Sequence, residues 1–312
     1  MAMNMMRSAL LYASQNRWLR QQAPRHKFVR RTAARFMPGE RVEDAMQAAR
    51  ALAAQNVRTI FTQLGENIAS SAEAEQVRDH YLGVLSQIHE AGLPTEISVK
   101  LTQLGLDLNT ELCFNNLVSL IERAALNTSV TTVWIDMEGS AYTERTLELF
   151  TRARAKYVNV GICLQAYLFR TSEDVEPLIK MGAAVRLVKG AYKEPPTIAF
   201  PRKQDVDHNY FALAQRLLSS EARQRGVRAA LATHDCALIA KIMAFAAQNE
   251  IPREALEFQM LYGIQTAEQL RLAREDYDSR VLINYGSHWY AWFMRRMAER
   301  PANMWFVVKN LF

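Results

Sequence analysis

The sequence predicts an α/β protein in which a (βα)8 barrel follows an N-terminal helical segment. Two observations predict this fold: short runs rich in β-branched residues alternate with longer amphipathic stretches, and each kind of segment occurs eight times after residue 50. A third favours the barrel over an open doubly wound sheet, because the chain lacks the GxGxxG loop that such a sheet carries after an early strand.

The eight predicted strands are runs of five to seven residues, at 59–63, 96–102, 132–138, 161–167, 184–190, 229–234, 256–262 and 280–285. The following helices are predicted near 72–91, 110–126, 142–156, 172–181, 205–224, 236–248, 265–274 and 288–299. In residues 205–224, for example, Val206, Tyr210, Leu213 and Leu217 recur at three- and four-residue spacing and mark one apolar face. Eight strands, each followed by a helix, close a barrel.

Charge is distributed unevenly along the chain, with the excess of basic residues near the N-terminus. With 312 residues, 49% of them hydrophobic and 22% charged, the chain has the composition of an ordinary globular protein. Residues 1–40 hold eight basic side chains against Glu40 alone, whereas the remainder is nearly neutral, with 30 basic and 31 acidic residues. We expect residues 1–50 to form a basic helical segment and residues 51–312 to form the barrel domain.

The basic segment has more than one interpretation. It is either the solvated face of a helix packed on the barrel, which is the commoner case, or an amphipathic helix that binds anionic lipid. Its arginines, serines and few acids are also typical of an organellar presequence, although no processing site is obvious. No nucleic-acid-binding motif accompanies the charge, so nucleic acid is not an expected partner.

The cysteines indicate a reducing compartment. Cys113, Cys163 and Cys236 lie far apart and form no CxxC motif, which argues against both a disulfide framework and a zinc site. No uncharged apolar run reaches the ~18 residues that a membrane span needs, so we expect any membrane contact to be peripheral.

Polar residues at predicted strand ends point to a site, because active sites of this architecture form where strands end. Lys100 and Asp136 lie at the ends of strands two and three, and a charge in a mostly apolar strand is costly unless paired, so we expect an ion pair between them. The other polar residues of this kind are Gln165, Arg186, Lys189, Thr233, His234, Glu257 and Gln259. Each alone is as consistent with an architectural role, but together they favour a site.

His234 and the final helix leave alternatives open. His234 is a general base, a metal ligand or, as is commoner, a hydrogen-bonded structural histidine; no HxH or HExxH motif supports a metal. Arg295 and Arg296 diverge by ~100° on a helix, so both reach one carboxylate only if that helix lies across the barrel mouth. Glu299, one turn later, would then hold them in place, and a surface Arg–Glu ladder is the ordinary alternative.

Seven motifs, in order along the chain, resemble the motif set of the proline dehydrogenase family. They are EISVKL at 96–101, DME at 136–138, LQAY at 164–167, VRLVKGAY at 185–192, ATHD at 232–235, EFQMLYG at 257–263 and RRMAER at 295–300. Each falls on a predicted strand end or on the final helix, which makes chance a poor explanation. The resemblance runs from about residue 59 to the C-terminus and is to the short, monofunctional bacterial form.

The resemblance implies FAD bound noncovalently at the mouth of a distorted (βα)8 TIM barrel. It implies oxidation of L-proline to 1-pyrroline-5-carboxylate by hydride transfer to flavin N5, with the electrons passed to a membrane quinone. A cytoplasmic location, with peripheral contact to the inner face of the cytoplasmic membrane through the basic segment, follows from the same resemblance.

Site residues are carried over by position. Asp136 resembles the active-site aspartate, and Arg186 resembles the arginine beside the flavin ring. The residues that resemble substrate-binding residues are Lys100, Tyr192, Leu261, Arg295 and Arg296, with the arginine pair on the proline carboxylate. Glu299 joins this set through its helical spacing from the arginine pair. The residues that resemble FAD contacts are Met137, Gln165, Arg186, Val188, Lys189, Gly190, Thr233 and His234.

Leu282 departs from the family pattern. Thirteen residues before Arg295, many members have a tyrosine over the substrate ring; leucine keeps the apolar contact and loses the hydroxyl, so ring-substituted prolines would be discriminated differently. Two other classes stay open: another flavin barrel, such as a methylenetetrahydrofolate reductase-like enzyme, and a non-catalytic barrel that binds amino acids or membranes. The arginine pair argues against the first.

Overall fold

Eight parallel strands close into a barrel in chain order. The structure, a computed structural model, describes Asn16, Gln22 and residues 26–65, 68–126 and 131–299. The strands are β1 Arg58–Gln63, β2 Thr95–Val99, β3 Val133–Ile135, β4 Val160–Gln165, β5 Ala184–Val188, β6 Arg228–Ala232, β7 Glu257–Leu261 and β8 Asp278–Tyr285. Each pairs in parallel with the next, and β8 pairs with β1, which confirms the predicted (βα)8 barrel.

Helices surround this barrel and cover part of its rim. They are α1 Lys27–Ala33, α2 Val42–Ala53, α3 Ser71–Glu90, α4 Thr110–Ala125, α5 Thr143–Arg154, α6 Thr171–Lys180, α7 Lys203–Leu217, α8 Ser220–Gln224, α9 Cys236–Gln248, α10 Thr266–Arg274 and α11 Trp289–Glu299. The single helix predicted over 205–224 was wrong. The chain leaves the helix after Leu217, and the Ser219 side chain accepts a hydrogen bond from the Ala222 amide at 3.2 Å, which begins a new helix as serine favours at such a position.

The main core lies between the sheet and the helices. Outward-facing strand residues such as Ile97, Ile135 and Leu187 are fully buried in one cluster with helix residues such as Leu85 and Leu120. Burial of each such side chain contributes roughly 1.5–3 kcal/mol, which makes this layer the main source of stability. Helix α2 also joins this core, and it crosses the boundary that the sequence analysis placed after residue 50.

An ion cluster fills the barrel at the amino ends of the strands. This amino-end cluster consists of Glu96, Arg228, Glu257 and Arg280, with Arg228 at 2.7 Å from each of the two carboxylates. Burial raises the pKa of Glu96, but the charges of Arg228 and Arg280 outweigh burial and lower it to about 2. Glu257, which the sequence analysis grouped with the strand-end residues, was therefore misplaced: it begins β7 and lies at the opposite end from the rim.

Helices α1 and α11 pack together over one side of the carboxyl rim. The buried residues Trp289 and Phe293 of α11 form a cluster with Phe36, with Leu64 after β1 and with Ile264 after β7. Since β1 and β7 flank β8, α11 lies over the rim at the end of β8. Among the residues that the structure describes, no helix is long and apolar enough to cross a membrane.

Candidate active site

The charged centre of the rim is Asp136, which directly follows β3. Its Oδ1 accepts hydrogen bonds from Ser98 Oγ at 2.6 Å and from Arg186 Nη1 at 3.0 Å. Lys100, after β2, lies with Nζ 3.7 Å from Asp136 Oδ2, so the predicted ion pair is present. The ends of β2 and β5 thus direct two cations onto one carboxylate that follows β3.

Among the described residues, Arg186 is the most enclosed charge at this end of the barrel. Its side chain is 3% exposed, Nε donates to Gln259 Oε1 at 2.7 Å and Nη1 donates to Ser98 Oγ at 2.8 Å. Its guanidinium carbon lies 4.6 Å from the centre of the Trp134 ring. Nη2 is buried and makes no hydrogen bond within the described part of the chain, so this cation keeps the two N–H donors of Nη2 for a ligand.

A polar column links Arg186 to the amino-end cluster. Gln259 Nε2 donates to Glu257 Oε1 at 2.5 Å, and the Trp134 ring lies between Arg186 and Arg228, 5.0 Å from the latter. The indole Nε1 donates to Glu96 Oε2 at 2.7 Å. Contacts on the side of the amino-end cluster therefore fix the orientation of Arg186, in a mostly buried environment where charges interact strongly.

Sequence reasoning missed Ser98 and Trp134 as parts of this site. Ser98 lies two residues before Lys100, and Trp134 lies two residues before Asp136. Side chains two residues apart on a strand share one face. Examining the residue two positions before each rim residue would therefore have identified Ser98 and Trp134.

Other rim residues fasten neighbouring strand ends to each other. Gln165 Nε2 donates to the Met137 carbonyl at 3.2 Å, while Gln165 Oε1 is buried with no partner among the described residues. His234 Nε2 accepts a hydrogen bond from the Leu261 amide at 2.9 Å. His234, which follows Thr233 after β6, thus connects the end of β6 to the end of β7.

Lys189 joins the loops after β5 and β6. Its Nζ lies 2.5 Å from Asp207 and 2.8 Å from Asp235, which follows His234. Burial raises the pKa of Asp235, but the hydrogen bond and charge of Lys189 outweigh it and hold that pKa well below its usual range. This ion pair keeps Thr233 and His234 near the Lys189 backbone.

Gly190 lies where no other residue fits. Its φ of +112° is a conformation that side chains disfavour, and a Cβ built on it would lie 2.2 Å from Cδ1 of the Tyr167 ring. Val188, at the end of β5, is half-buried beside it. The Tyr167 ring therefore packs directly against the Gly190 backbone.

Glu138 is a further rim carboxylate that the sequence analysis did not single out. It accepts a hydrogen bond from the Thr102 hydroxyl at 2.9 Å and from the Thr102 amide at 3.3 Å, and so fastens the β2 end to the β3 end. Burial raises its pKa above the usual range despite these hydrogen bonds and the charge of Lys100.

The remaining predicted residues lie at the same rim or outside the described part of the structure. Tyr192, in the loop after β5, is 42% exposed, and Leu261 ends β7. Leu282 lies in β8 and packs inside the barrel with Ile60 and Trp134. The backbone of α11 includes Arg295, Arg296 and Glu299, but their side chains lie outside the described residues.

Comparisons with a family model and with known proteins all identify the same family. A family model described as "Proline dehydrogenase" matches residues 45–309. Proline dehydrogenase 1 of Bacillus subtilis (strain 168) is 38% identical over 307 residues, which covers 98% of this chain and 99% of that protein. The proline dehydrogenase of Deinococcus radiodurans is 37% identical over 284 residues, or 89% of each chain.

Solved structures give the same picture for the fold. Proline utilization A (PutA) from Bdellovibrio bacteriovorus, inactivated by N-propargylglycine, superposes with a TM-score of 0.81 at 26% identity, covering 95% of this chain and 37% of that one. Bradyrhizobium japonicum Proline Utilization A gives a TM-score of 0.74 at 26% identity, covering 89% of this chain and 32% of that one. This chain thus corresponds to about a third of those longer proteins.

Proposed function

Because this chain belongs to the proline dehydrogenase family and is an oxidoreductase that acts on proline, we propose that it oxidises L-proline to 1-pyrroline-5-carboxylate with FAD as hydride acceptor. The observation that carries this proposal is Arg186, a buried cation at the rim whose Nη2 has no partner among the described residues, beside Asp136 and Lys100. A membrane quinone is the proposed final electron acceptor. The basic residues 1–40 would favour an anionic lipid surface, and their placement lies largely outside the described residues.

The rim residues fit a flavin through two unpaired polar atoms. Arg186 Nη2 and Gln165 Oε1 are a buried donor and a buried acceptor with no partner among the described residues, as a polar ring edge requires. The residues that would hold FAD are Met137, Gln165, Arg186, Val188, Lys189, Gly190, Thr233 and His234. FAD supplies the hydride acceptor that amino-acid side chains lack.

The substrate would be held through its carboxylate. Arg295 and Arg296 are proposed to bind it with paired charge-assisted hydrogen bonds, supported by Glu299. Lys100 would add a third cation, and Tyr192, Leu261 and Leu282 would line the apolar part of the pocket. A ring held in one orientation at the rim needs little further activation, because positioning provides a large part of such catalysis.

The product defines which bond is oxidised. In 1-pyrroline-5-carboxylate the carboxylate lies on the ring carbon across the nitrogen from the C=N bond, so hydride leaves Cδ of proline and not Cα. The nitrogen then carries an iminium charge and loses its proton to give the imine. The amine must be neutral when it reacts, and an enzymatic base is not required if the neutral form is selected from solution. Arg186 would stabilise the negative charge that collects on the acceptor.

We expect anaerobic L-proline to bleach the yellow protein. The measurement is the loss of flavin absorbance after mixing, with L-alanine and buffer as controls and with the FAD content determined beforehand. A flavin-loaded protein that keeps its absorbance at high proline concentration would contradict the proposed reaction. A colourless protein that takes up no FAD would contradict the cofactor.

Changing Arg295 or Arg296 to Met is expected to raise the proline KM by about 10- to 100-fold, because a charge-assisted hydrogen bond contributes roughly 1.5–3 kcal/mol. Flavin absorbance should stay at the parent level, since neither residue is a proposed FAD contact. Arg274→Met, which removes an exposed arginine from α10, is the matched control. A parent-like KM in both variants would exclude the carboxylate clamp.

A further inference from the structure

The loop between β5 and α7, residues 189–202, forms a closed lobe on the rim. Both ends of the lobe are bound to Tyr167: the Tyr167 amide donates to the Lys189 carbonyl at 2.9 Å, and the Phe200 amide donates to the Tyr167 carbonyl at 2.8 Å. The Phe169 amide also donates to the Ile198 carbonyl at 3.0 Å. A loop whose ends lie this close together can move at its tip without disturbing the strands that it joins.

The lobe makes a side-chain contact with a distant element through Glu194. Glu194 Oε1 accepts a hydrogen bond from the Ser140 amide at 2.8 Å, and Oε2 accepts one from the Ser140 hydroxyl at 2.6 Å. Ser140 lies four residues after Asp136, at the start of the short 3-10 helix Ser140–Tyr142. The contact therefore joins the lobe after β5 to the loop after β3 and crosses the end of β4.

The contact between Glu194 and Ser140 is important for the position of the tip of the lobe, residues 191–198. Apart from the half-buried Glu194, residues 191–198 are exposed, so the tip buries little surface of its own. Burial and then the negative charge of Glu194 hold the pKa of Tyr167 well above its usual range, which places the carboxylate beside this ring as well. Two charge-assisted hydrogen bonds are a large share of what holds such an exposed segment.

We propose that Glu194 is a positioning residue: its hydrogen bonds to Ser140 hold the lobe over the rim and so keep Tyr192 beside the bound proline. This inference rests on the proposed function, because Tyr192 enters the substrate pocket by resemblance. Glu194 touches neither substrate nor cofactor in this proposal and acts through Tyr192. Its loss should therefore weaken proline binding more than it slows the chemical step.

The test compares three variants of the full-length, flavin-loaded protein. Glu194→Ala removes both hydrogen bonds, whereas Glu194→Gln keeps an acceptor for the Ser140 amide and a donor for its hydroxyl. Glu173→Ala removes an exposed acid from α6, near the same rim, and is the matched control. Ser140→Ala removes one of the two bonds from the opposite side.

We expect Glu194→Ala to raise the proline KM about tenfold with kcat within about threefold of the parent, since each hydrogen bond contributes roughly a fewfold effect. Glu194→Gln should recover most of this loss, Ser140→Ala should show a smaller loss, and Glu173→Ala should match the parent. Hydrogen exchange measured by mass spectrometry should accelerate in residues 189–200 and 138–142 of Glu194→Ala and nowhere else.

Unchanged exchange in both segments would overturn the proposed contact. Faster exchange with a parent-like KM would overturn the positioning role. If the parent protein is not bleached by proline, the proposed function fails, while the exchange comparison still decides whether Glu194 holds the lobe.

Discussion

Arg186→Met is expected to lower kcat/KM for proline by about 10²- to 10³-fold, the loss that follows removal of one preorganised donor at a site of developing charge. The residue is held by Gln259, Ser98 and Asp136 and stacks on Trp134, so the guanidinium needs no reorganisation as charge develops. Methionine has a similar length but no charge and no donor. The rate of flavin bleaching under anaerobic conditions measures the loss directly.

Two controls separate chemistry from folding in this prediction. Arg186→Lys keeps the charge without the planar fork and should lose less activity than Arg186→Met. Arg202→Met removes an exposed arginine from the same side of the rim and should behave like the parent. A folded, flavin-loaded Arg186→Met protein with parent-like bleaching would remove Arg186 from the proposed chemistry; circular dichroism checks the folding.

Arg228→Met is expected to lower the free energy of unfolding by about 3–5 kcal/mol, the usual cost of removing one partner from a buried ion pair. The change leaves the buried carboxylates of Glu96 and Glu257 with Arg280 as their remaining guanidinium, where the parent has two that each contact both. Urea unfolding measures the loss. Arg216→Met breaks a partly exposed surface pair with Glu176 and should cost only about 0–1 kcal/mol, which makes it the matched control.

The same cluster predicts how stability depends on pH. The pKa of Glu96 is about 2 in the folded protein and lies near 4.5 in an unfolded chain. Because the folded pKa is the lower of the two, the contribution of Glu96 is fully present above about pH 5 and is lost as the pH falls toward 2. Urea midpoints measured across this range should fall less steeply for Glu96→Gln than for the parent. Parallel curves would contradict this assignment.

The sequence predicted the barrel because its signals are local. Alternating β-branched and amphipathic segments can be recognised from a few consecutive residues. The polar residues that follow each strand can be recognised from the same short stretches of sequence. Lys100, Asp136 and His234 could therefore be placed at the carboxyl rim before their contacts were known. The predicted helix over 205–224 failed because one serine cap outweighed an apolar periodicity that continues across it.

Other features depended on contacts between distant segments. Glu257 was placed with the rim residues together with Gln259 of the same strand, although the first residue of a strand lies at the other end of the barrel. Glu194 carried no local signal, since its partner Ser140 is 54 residues away in the chain. The role of Trp134 depends on the guanidiniums of Arg186 and Arg228, which lie on its ring and come from two other strands.

By itself, the sequence determined the (βα)8 architecture and the residues at the strand ends, because strand and helix periodicity and the polarity of single positions are properties of neighbouring residues. Only the tertiary structure decided which of these residues meet. Closing the sheet brings β2, β3, β5 and β7 around one axis, and that closure sets Arg186 between Asp136 and Gln259. A buried charge takes its orientation from partners on several strands at once, and no single stretch of sequence contains them.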